Sequence, residues 1–415
     1  MSGKDGERNV LVLATTFPKW EDGSTPKFVY ELSKELDRHA NKVVVLSPHD
    51  QGSAFHEEMG GLEVYRYPYF FPIRYQTLRT GSTVDKVQSS HLAKIQIPFL
   101  ILSLFAHTLW LIRKEEIDVI QSHWILPNGV VGSIMNHLMG IRHVMTIHAG
   151  GALMLQKIPF NRRIATYTYR HSEAILPVSS HISRTYLDLV DEDAKSETKS
   201  VVVQPMGTHT SDFTGFDEIE DGGNDHVVGL YVGRLAEKKG VNYLLDAVAI
   251  LDDTEQDFEL TIVGTGSLGE ELRAKAAELG VEDVVEFTGW VSDEELNRHY
   301  VDADFVVVPS VRTAAGDTEG MPTVISEAMA AGNPVIATNA GGITDVVEDG
   351  ANGYIIEQRQ PSEIADRMSR LISDPSLRQR LSDGALETAE GLDWSQCGET
   401  YWRFLQPPHS LPGET

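Results

Sequence analysis

The chain has 415 residues, 41% of them hydrophobic, with 35 lysines and arginines against 61 aspartates and glutamates, and one cysteine, Cys397. That length needs more than one hydrophobic core and that composition can fill them, so wholesale disorder is excluded. A single cysteine excludes a disulfide scaffold or a cysteine-built zinc site and fits a reducing compartment, while a net charge of −26 argues against nucleic acid as a partner.

The charge is unevenly spread. Residues 1–200 carry 22 basic and 21 acidic side chains, and residues 201–415 carry 13 and 40, a net −27. Lysine supplies 14 of the basic residues. Low lysine beside so much acid predicts a halophilic protein, kept soluble in salt that screens its self-repulsion.

The first apolar run, Val10–Ala14, is too short and sits too far behind charged residues for a secretory signal, which predicts a cytoplasmic protein. It reads as a buried strand, followed by a helix over Phe28–His39 and a strand over Lys42–Leu46. Ile95–Ile112 is an eighteen-residue run whose only titratable side chain is His107. It reads first as a buried core helix and second as a membrane-surface helix. A span is the weakest reading, because it would separate strands of one sheet across a bilayer. Strands are expected at Val119–Ser122, His143–Ile147, Ala174–Val178 and Ser200–Val203. Strands separated by helices imply crossovers and a parallel sheet.

After a Gly-, Asp- and Thr-rich linker (Gln204–Asn224) the pattern restarts. Strands are expected at Asp225–Val232, Glu259–Val263, Val284–Phe287, Phe305–Val308, Pro334–Ile336 and Gly353–Ile356, with helices over Asn242–Leu251 and Gly269–Leu279. The predicted fold is therefore α/β, two doubly wound domains (1–205 and 206–390) facing across a cleft, where ligands of such sheets bind. Leu392–Leu405 is a last amphipathic helix within the tail segment 391–415.

Two segments carry candidate chemistry. In GLYVGRLAEKKG a strand ends at Gly233, and Arg234, Lys238 and Lys239 crowd the turn after it, in a half with 13 basic residues. Guanidinium and ammonium groups at a strand end can neutralise a diphosphate. In GDTEGMPTVISEAMA, Gly320 allows an unusual backbone and Pro322 suits a first helical turn, so free helix N–H groups can hold an anion. Glu319 and Glu327 flank that start, as hydroxyl-binding carboxylates or, more blandly, as a helix cap and an exposed acid.

At these residues the chain resembles the family 4 glycosyltransferases of the GT-B fold. The E-x7-E pattern (Glu319, Glu327) in EGMPTVISEAMAAGNPVIAT carries the resemblance, with GRLAEKKG, VVVQPMGTHTSDF, VGTGSLGEEL, VEFTGWVSDEEL and ADFVVVPS in order. The resemblance implies transfer of a sugar from a nucleotide-diphosphate sugar to a glycan or lipid-linked acceptor with retention of configuration. It implies that Arg234 and Lys239 bind the pyrophosphate with no metal and no cofactor, and that Glu319 holds the sugar and Glu327 the ribose. Gly233, Gly320, Met321, Pro322 and Thr323 would lie at the sugar and phosphate end, and Trp290 and Val291 near the base. Gly23, in TTFPKWEDGSTPKF, stands in the first loop, where the family has paired glycines near the donor phosphate. His148 in MTIHAGG matches the family's active-site histidine, although Ala149, Gly150 and Gly151 follow where the family often carries an acid. His123 divides evenly between packing and function. The last helix would cross back to the first domain.

A basic group at Lys157, Arg162, Arg163 and Arg170 adds peripheral contact with a cytoplasmic membrane surface as an expectation. A non-catalytic GT-B scaffold and a sugar-nucleotide epimerase are the alternatives.

Overall fold

The computed structural model describes residues 8–20, 27–78, 90–197, 199–214, 226–252 and 257–407. They form two compact units, each around its own sheet. One takes the chain up to Val178, Ile182–Gln204 and the segment from Cys397; the other takes Ser179–His181 and Pro205–Gln396.

The first unit holds β1 (Asn9–Leu13), β2 (Lys42–Pro48), β3 (His56–Met59), β4 (Leu62–Tyr67), β5 (Val119–His123), β6 (Arg142–Ile147), β7 (Ala174–Pro177) and β8 (Ser200–Val201), ordered β3-β4-β2-β1-β5-β6-β7-β8. Every pairing is parallel except β3 with β4. Val10, Leu11, Val12 and Leu13 have no exposed surface, as expected of a parallel strand covered on both faces. Helices α1 (Phe28–His39), α2 (His91–Lys114), α3 (Val130–Met139) and α4 (Ala149–Gln156) supply part of the cover.

The sequence reading has no strand between Leu46 and Val119, and the structure corrects it with the β3–β4 hairpin. Its turn is Gly60-Gly61, both at positive φ (57° and 87°), as a two-residue hairpin requires. The strands hide behind charge, because Glu57, Glu58, Glu63 and Arg66 interrupt the apolar pattern. Arg66 is nonetheless buried; its Nη2 donates to Glu57 Oε1 (2.6 Å) and to Pro18 O (3.0 Å). Ile95–Ile112 is also corrected: it is helical within α2, but Ile95, Phe99, Leu102 and Trp110 are exposed, so it is not a core helix on all sides.

The second unit holds β9 (Val227–Val232), β10 (Phe258–Val263), β11 (Val285–Gly289), β12 (Phe305–Val308), β13 (Val335–Thr338) and β14 (Gly353–Ile356), all parallel and ordered β11-β10-β9-β12-β13-β14. Side chains alternate across this sheet. Phe305 and Val307 join a core under α5 (Val241–Asp252) and α6 (Pro361–Ser373), and Val306 and Val308 join a core on the opposite face. In both sheets the strand order reverses beside the first strand, between β1 and β5 and between β9 and β12. Crevices for ligands open at the carboxyl ends of strands at such points.

The last helix, Trp394–Leu405, enters the first unit from Cys397. Arg142 Nε and Nη2 donate to Phe404 O (3.1 and 3.0 Å), and Thr146 Oγ1 donates to the buried Tyr401 Oη at 3.3 Å. Gly398 permits the approach to α1, since a Cβ there would stand 2.7 Å from Cβ of Glu35. Gly398→Leu is expected to cost roughly 2 kcal/mol through overpacking, read as a lower urea midpoint with an unchanged slope.

Candidate functional site

Three loops meet in the second unit. After β9 the chain runs Gly233-Arg234-Leu235-Ala236-Glu237-Lys238-Lys239-Gly240. Gly233 N donates to Val263 O (3.0 Å) and Leu235 N to Thr265 O (2.9 Å), tying the turn to the end of β10. Gly240 has φ +68°, and a Cβ there would collide with the carbonyl of Pro309 just beyond β12. Glycine therefore lets the two lysines lie against the loop that follows β12, and Val311 N seals the contact by donating to Lys238 O at 2.8 Å.

That loop leads through Asp317, Glu319 and Gly320 to the helix Thr323–Ala330. Pro322 is the cap residue before the helix rather than part of its first turn, and no side chain caps the helix. The bland reading of Glu319 as a cap thus fails. Its side chain turns inward (8% of the residue exposed), with Oε1 3.4 Å from Lys239 Nζ and 3.9 Å from Lys238 Nζ. Among the described residues Oε1 accepts no hydrogen bond despite its burial. Lys238 also stands 3.6 Å from Asp317 Oδ2. The backbone beneath is held by a glycine pair the sequence reading overlooked. Gly342 N donates to Gly320 O (2.7 Å), and Gly341, at φ +63°, leaves room for the carbonyl of Glu319 that any Cβ would strike. The signal was present as the dipeptide in TNAGGITD, directly after β13.

Glu327 is half-buried rather than exposed. Tyr300 Oη donates to its Oε2 at 2.7 Å. Burial raises the Glu327 pKa, while hydrogen bonds from Tyr300 and Thr323 and the charge of Lys239 pull it back. Burial and the neighbouring carboxylate push the Tyr300 phenol far up, so it stays a donor; burial and Glu319 do the same to Tyr231. Neither tyrosine was singled out from sequence, since a tyrosine in a helix or strand looks like core.

Arg234 is exposed and makes no ion pair among the described residues. Pro322 is buried, and Met321 and Thr323 are half-buried beside it. Trp290, just after β11, is 71% exposed, whereas Val291 packs into the core. Gly23 lies outside the described residues.

In the first unit, His123 ends β5 and His148 follows β6, both at the carboxyl edge beside the strand-order reversal. His123 Nδ1 and His148 Nε2 are 3.0 Å apart, and the rings stack with centroids 5.3 Å apart. Phe28 and Trp124 close over His148, with centroids at 5.0 and 4.7 Å. Burial depresses the His148 pKa to about 3 and holds His123 well below the ordinary value, helped by His148. The imidazole partner of His148 is thus another neutral histidine, where the family often has an acid. The basic group nearby is weaker than its sequence suggests: Arg162 pairs with Asp191 (3.4 Å) and Arg170 with Glu197 (3.2 Å).

Chemically, the second-unit site offers an exposed cation (Arg234), two paired ones (Lys238 and Lys239) and a helix start that no side chain caps, with Glu319 beside Lys239 and Glu327 feeling its charge. Cations and amides suit an anion, and carboxylates suit hydroxyl groups. Among the described residues no three His, Cys, Asp or Glu side chains are grouped to hold a metal ion.

A family profile described as "Glycosyl transferases group 1" matches residues 217–388, and one described as "Glycosyl transferase 4-like domain" matches residues 25–195. An uncharacterised glycosyltransferase of Methanocaldococcus jannaschii is 30% identical over 288 residues, 69% of this chain and 74% of the relative. The chain belongs to the group 1 glycosyltransferases. A D-inositol 3-phosphate glycosyltransferase of Acidothermus cellulolyticus is 31% identical over 353 residues, 78% of this chain and 76% of the relative. The GT-B fold is shared with sucrose-phosphate synthase from Thermosynechococcus elongatus (TM-score 0.75, 20% identity, 96% of this chain and 98% of that one). It is also shared with HepE from Anabaena, solved with UDP (TM-score 0.70, 19% identity, 96% and 99%).

The buried histidines generate a pH prediction for this glycosyltransferase. A histidine whose folded pKa is lowered stabilises the fold at pH above its unfolded pKa of about 6.5, and that stability drains as pH falls toward the folded pKa. Urea unfolding between pH 7 and 4.5 should show wild-type stability falling, by at most about 1.4 kcal/mol per pH unit for each such histidine. His148→Gln should flatten that fall; an unchanged slope would contradict neutral burial of His148.

Proposed function

We propose that this glycosyltransferase moves a hexose or related sugar from a nucleoside diphosphate sugar to a hydroxyl of a glycan or lipid-linked acceptor, with retention of configuration. The observation that carries the donor side is the Glu319 carboxylate oxygen Oε1, buried without a hydrogen-bond donor among the described residues and 3.4 Å from the Lys239 ammonium. Such a shell is incomplete in the free protein and is completed by a ligand that brings hydroxyl donors to Glu319 and negative charge to Lys239.

In this reading the diphosphate takes Lys239 and the exposed Arg234, with the free amides at Thr323–Ala330 adding their dipoles. Glu319, released from Lys239, accepts from the sugar hydroxyls. Glu327, oriented by Tyr300 and Thr323, accepts from the ribose. Gly233, Gly320, Met321 and Pro322 shape the sugar and phosphate end, and the chain at Trp290 and Val291 meets the base. The bond between the anomeric carbon and the diphosphate oxygen breaks, the acceptor oxygen bonds that carbon on the same face, and its proton passes to the departing phosphate. His148 is the residue the family resemblance marks on the acceptor side; neutral above about pH 3, it exchanges hydrogen bonds without bringing charge. Fixed cations do the electrostatic work of a metal here, so none is required.

HepE, alike in fold, is also solved with UDP-glucose, which makes that compound the first donor to try. One relative is named a D-inositol 3-phosphate glycosyltransferase and another an amylovoran biosynthesis glycosyltransferase, so the acceptor panel should be broad. The surplus of acid in residues 201–415 repels an anionic donor at long range, and molar salt shortens that repulsion to about 3 Å, leaving contact ion pairs in force. Assays therefore belong in concentrated potassium chloride, in the compartment of a cytoplasmic protein.

Glu319→Gln and Lys239→Ala should each lower transfer at least about 100-fold while keeping the wild-type melting temperature and circular dichroism. Chelator should leave the wild-type rate unchanged. Wild-type turnover in either variant would overturn the site, and loss on chelation restored only by magnesium or manganese would overturn the metal-free reading.

A further inference from the structure

Helix α2 is inverted relative to an ordinary surface helix. Toward the sheet it turns Ala93, Gln96, Leu100, Leu104, Thr108 and Leu111, all buried. Toward solvent it turns Leu92, Ile95, Phe99, Leu102 and Trp110, with Leu102 64% and Ile95 57% exposed. These recur every three to eight residues on one side and form an apolar stripe about 27 Å long. A helix facing water puts its polar residues outward; here Gln96 and Thr108 are inside and the large apolar groups outside.

The stripe is extended by a neighbouring segment. Gln96 Nε2 donates to Tyr75 O (2.7 Å), Thr77 N donates to Gln96 Oε1 (3.1 Å), and Ser103 Oγ donates to Pro68 O (2.6 Å). So strapped, this segment sets Phe70 edge-on against Phe99 (5.8 Å) and leaves Phe71 74% exposed and Tyr75 46% exposed beside the helix.

The charges on the helix itself have one sign. No aspartate or glutamate occurs from His91 to Lys114, and Lys94, Arg113 and Lys114 are exposed on the helix, with Arg74 against the Tyr75 ring. Lys114 lies over Trp110 (4.8 Å) and Tyr65 (4.6 Å), and a surface depression is lined by Ala106, Leu109, Trp110, Arg113 and Lys114. The adjoining acid, Glu115, is nearly buried and engaged by Lys42 at 2.6 Å and Lys114 at 3.0 Å; Glu116 beyond it is exposed. The half of the chain that carries this face has a net charge of +1 in a molecule of −26.

We propose that α2 and the segment Pro68–Tyr75 form a docking face for an anionic lipid bilayer. The helix lies flat, with Ile95, Phe99, Leu102 and Trp110 in the acyl boundary and Arg74, Lys94, Arg113 and Lys114 on lipid phosphates. Aromatic rings and snorkelling cations are the groups that settle at that depth. The helix docks rather than spans, because β4 before it and β5 after it belong to one sheet and its inner face is packed there. This inference is independent of which sugar is transferred.

The full-length protein should be sedimented with phosphatidylcholine vesicles, with and without 40% phosphatidylglycerol. Binding is expected to the anionic vesicles, weakened but not abolished by molar salt, and at least tenfold weaker for Phe99→Ser/Leu102→Ser. The variant's melting shift on adding UDP, GDP or ADP should match wild type, which shows the fold intact. Should that variant not fold, quenching of tryptophan fluorescence by bromine on the acyl chains decides the matter: it is expected in wild type and reduced in Trp110→Phe. No binding by wild type to anionic vesicles at either salt would overturn the proposal. So would concentration-dependent dimerisation of wild type, lost in the variant, without vesicle binding; the face would then be an interface between copies.

Discussion

The donor-side unit depends on one ion pair. The Glu319 carboxylate lies within 4 Å of the ammonium groups of Lys238 and Lys239, buried and, among the described residues, without a hydrogen-bond donor on Oε1. In a half of the chain with 40 acids and 13 bases, two lysines side by side are held at that point by backbone. Gly240 permits the close approach to Pro309, Gly341 makes room for the Glu319 carbonyl, and the parallel order of β9 and β12 brings the loops together. A buried carboxylate that lacks donors is costly unless a ligand supplies them. In the proposed reading, the pair thus marks where a hydroxyl-bearing anion goes.

Much of this was legible in the sequence because its signals are local. Apolar runs ending in Gly233 and Val308, a helix after Pro322 and a crowd of cations in an acidic half are short-range facts, and the reversal of strand order needed no side-chain detail. What stayed hidden depends on distant partners. Tyr300 donates to Glu327 from twenty-seven positions away, and the Gly341-Gly342 pair meets Glu319-Gly320 only once β13 lies beside β12. The hairpin at His56–Tyr67 was missed because a buried Arg66, engaged by Glu57 and Pro18, reads as a surface residue.

The first unit shows the same division. His148 stood out by its match to the family's active-site histidine and His123 divided evenly between packing and function, but their pairing was hidden, since the two become adjacent only when β5 and β6 pair. Two neutral imidazoles in an aromatic enclosure give that edge hydrogen bonding without charge. Helix α2 was read as apolar and therefore as core; composition alone cannot say which face is turned out. Its inverted arrangement, with Gln96 inside and Leu102 outside, becomes visible once the strap at Pro68–Tyr75 is seen.

In the proposed reading, diphosphate and Glu319 compete for Lys239. The decisive measurement is calorimetric titration of the sugar-free nucleoside diphosphate into wild type and Glu319→Gln. If the claim holds, the variant binds the nucleotide as tightly as wild type or more tightly, because Lys239 no longer has to leave a carboxylate. Clearly weaker binding by Glu319→Gln, in a protein that still melts like wild type, would contradict it.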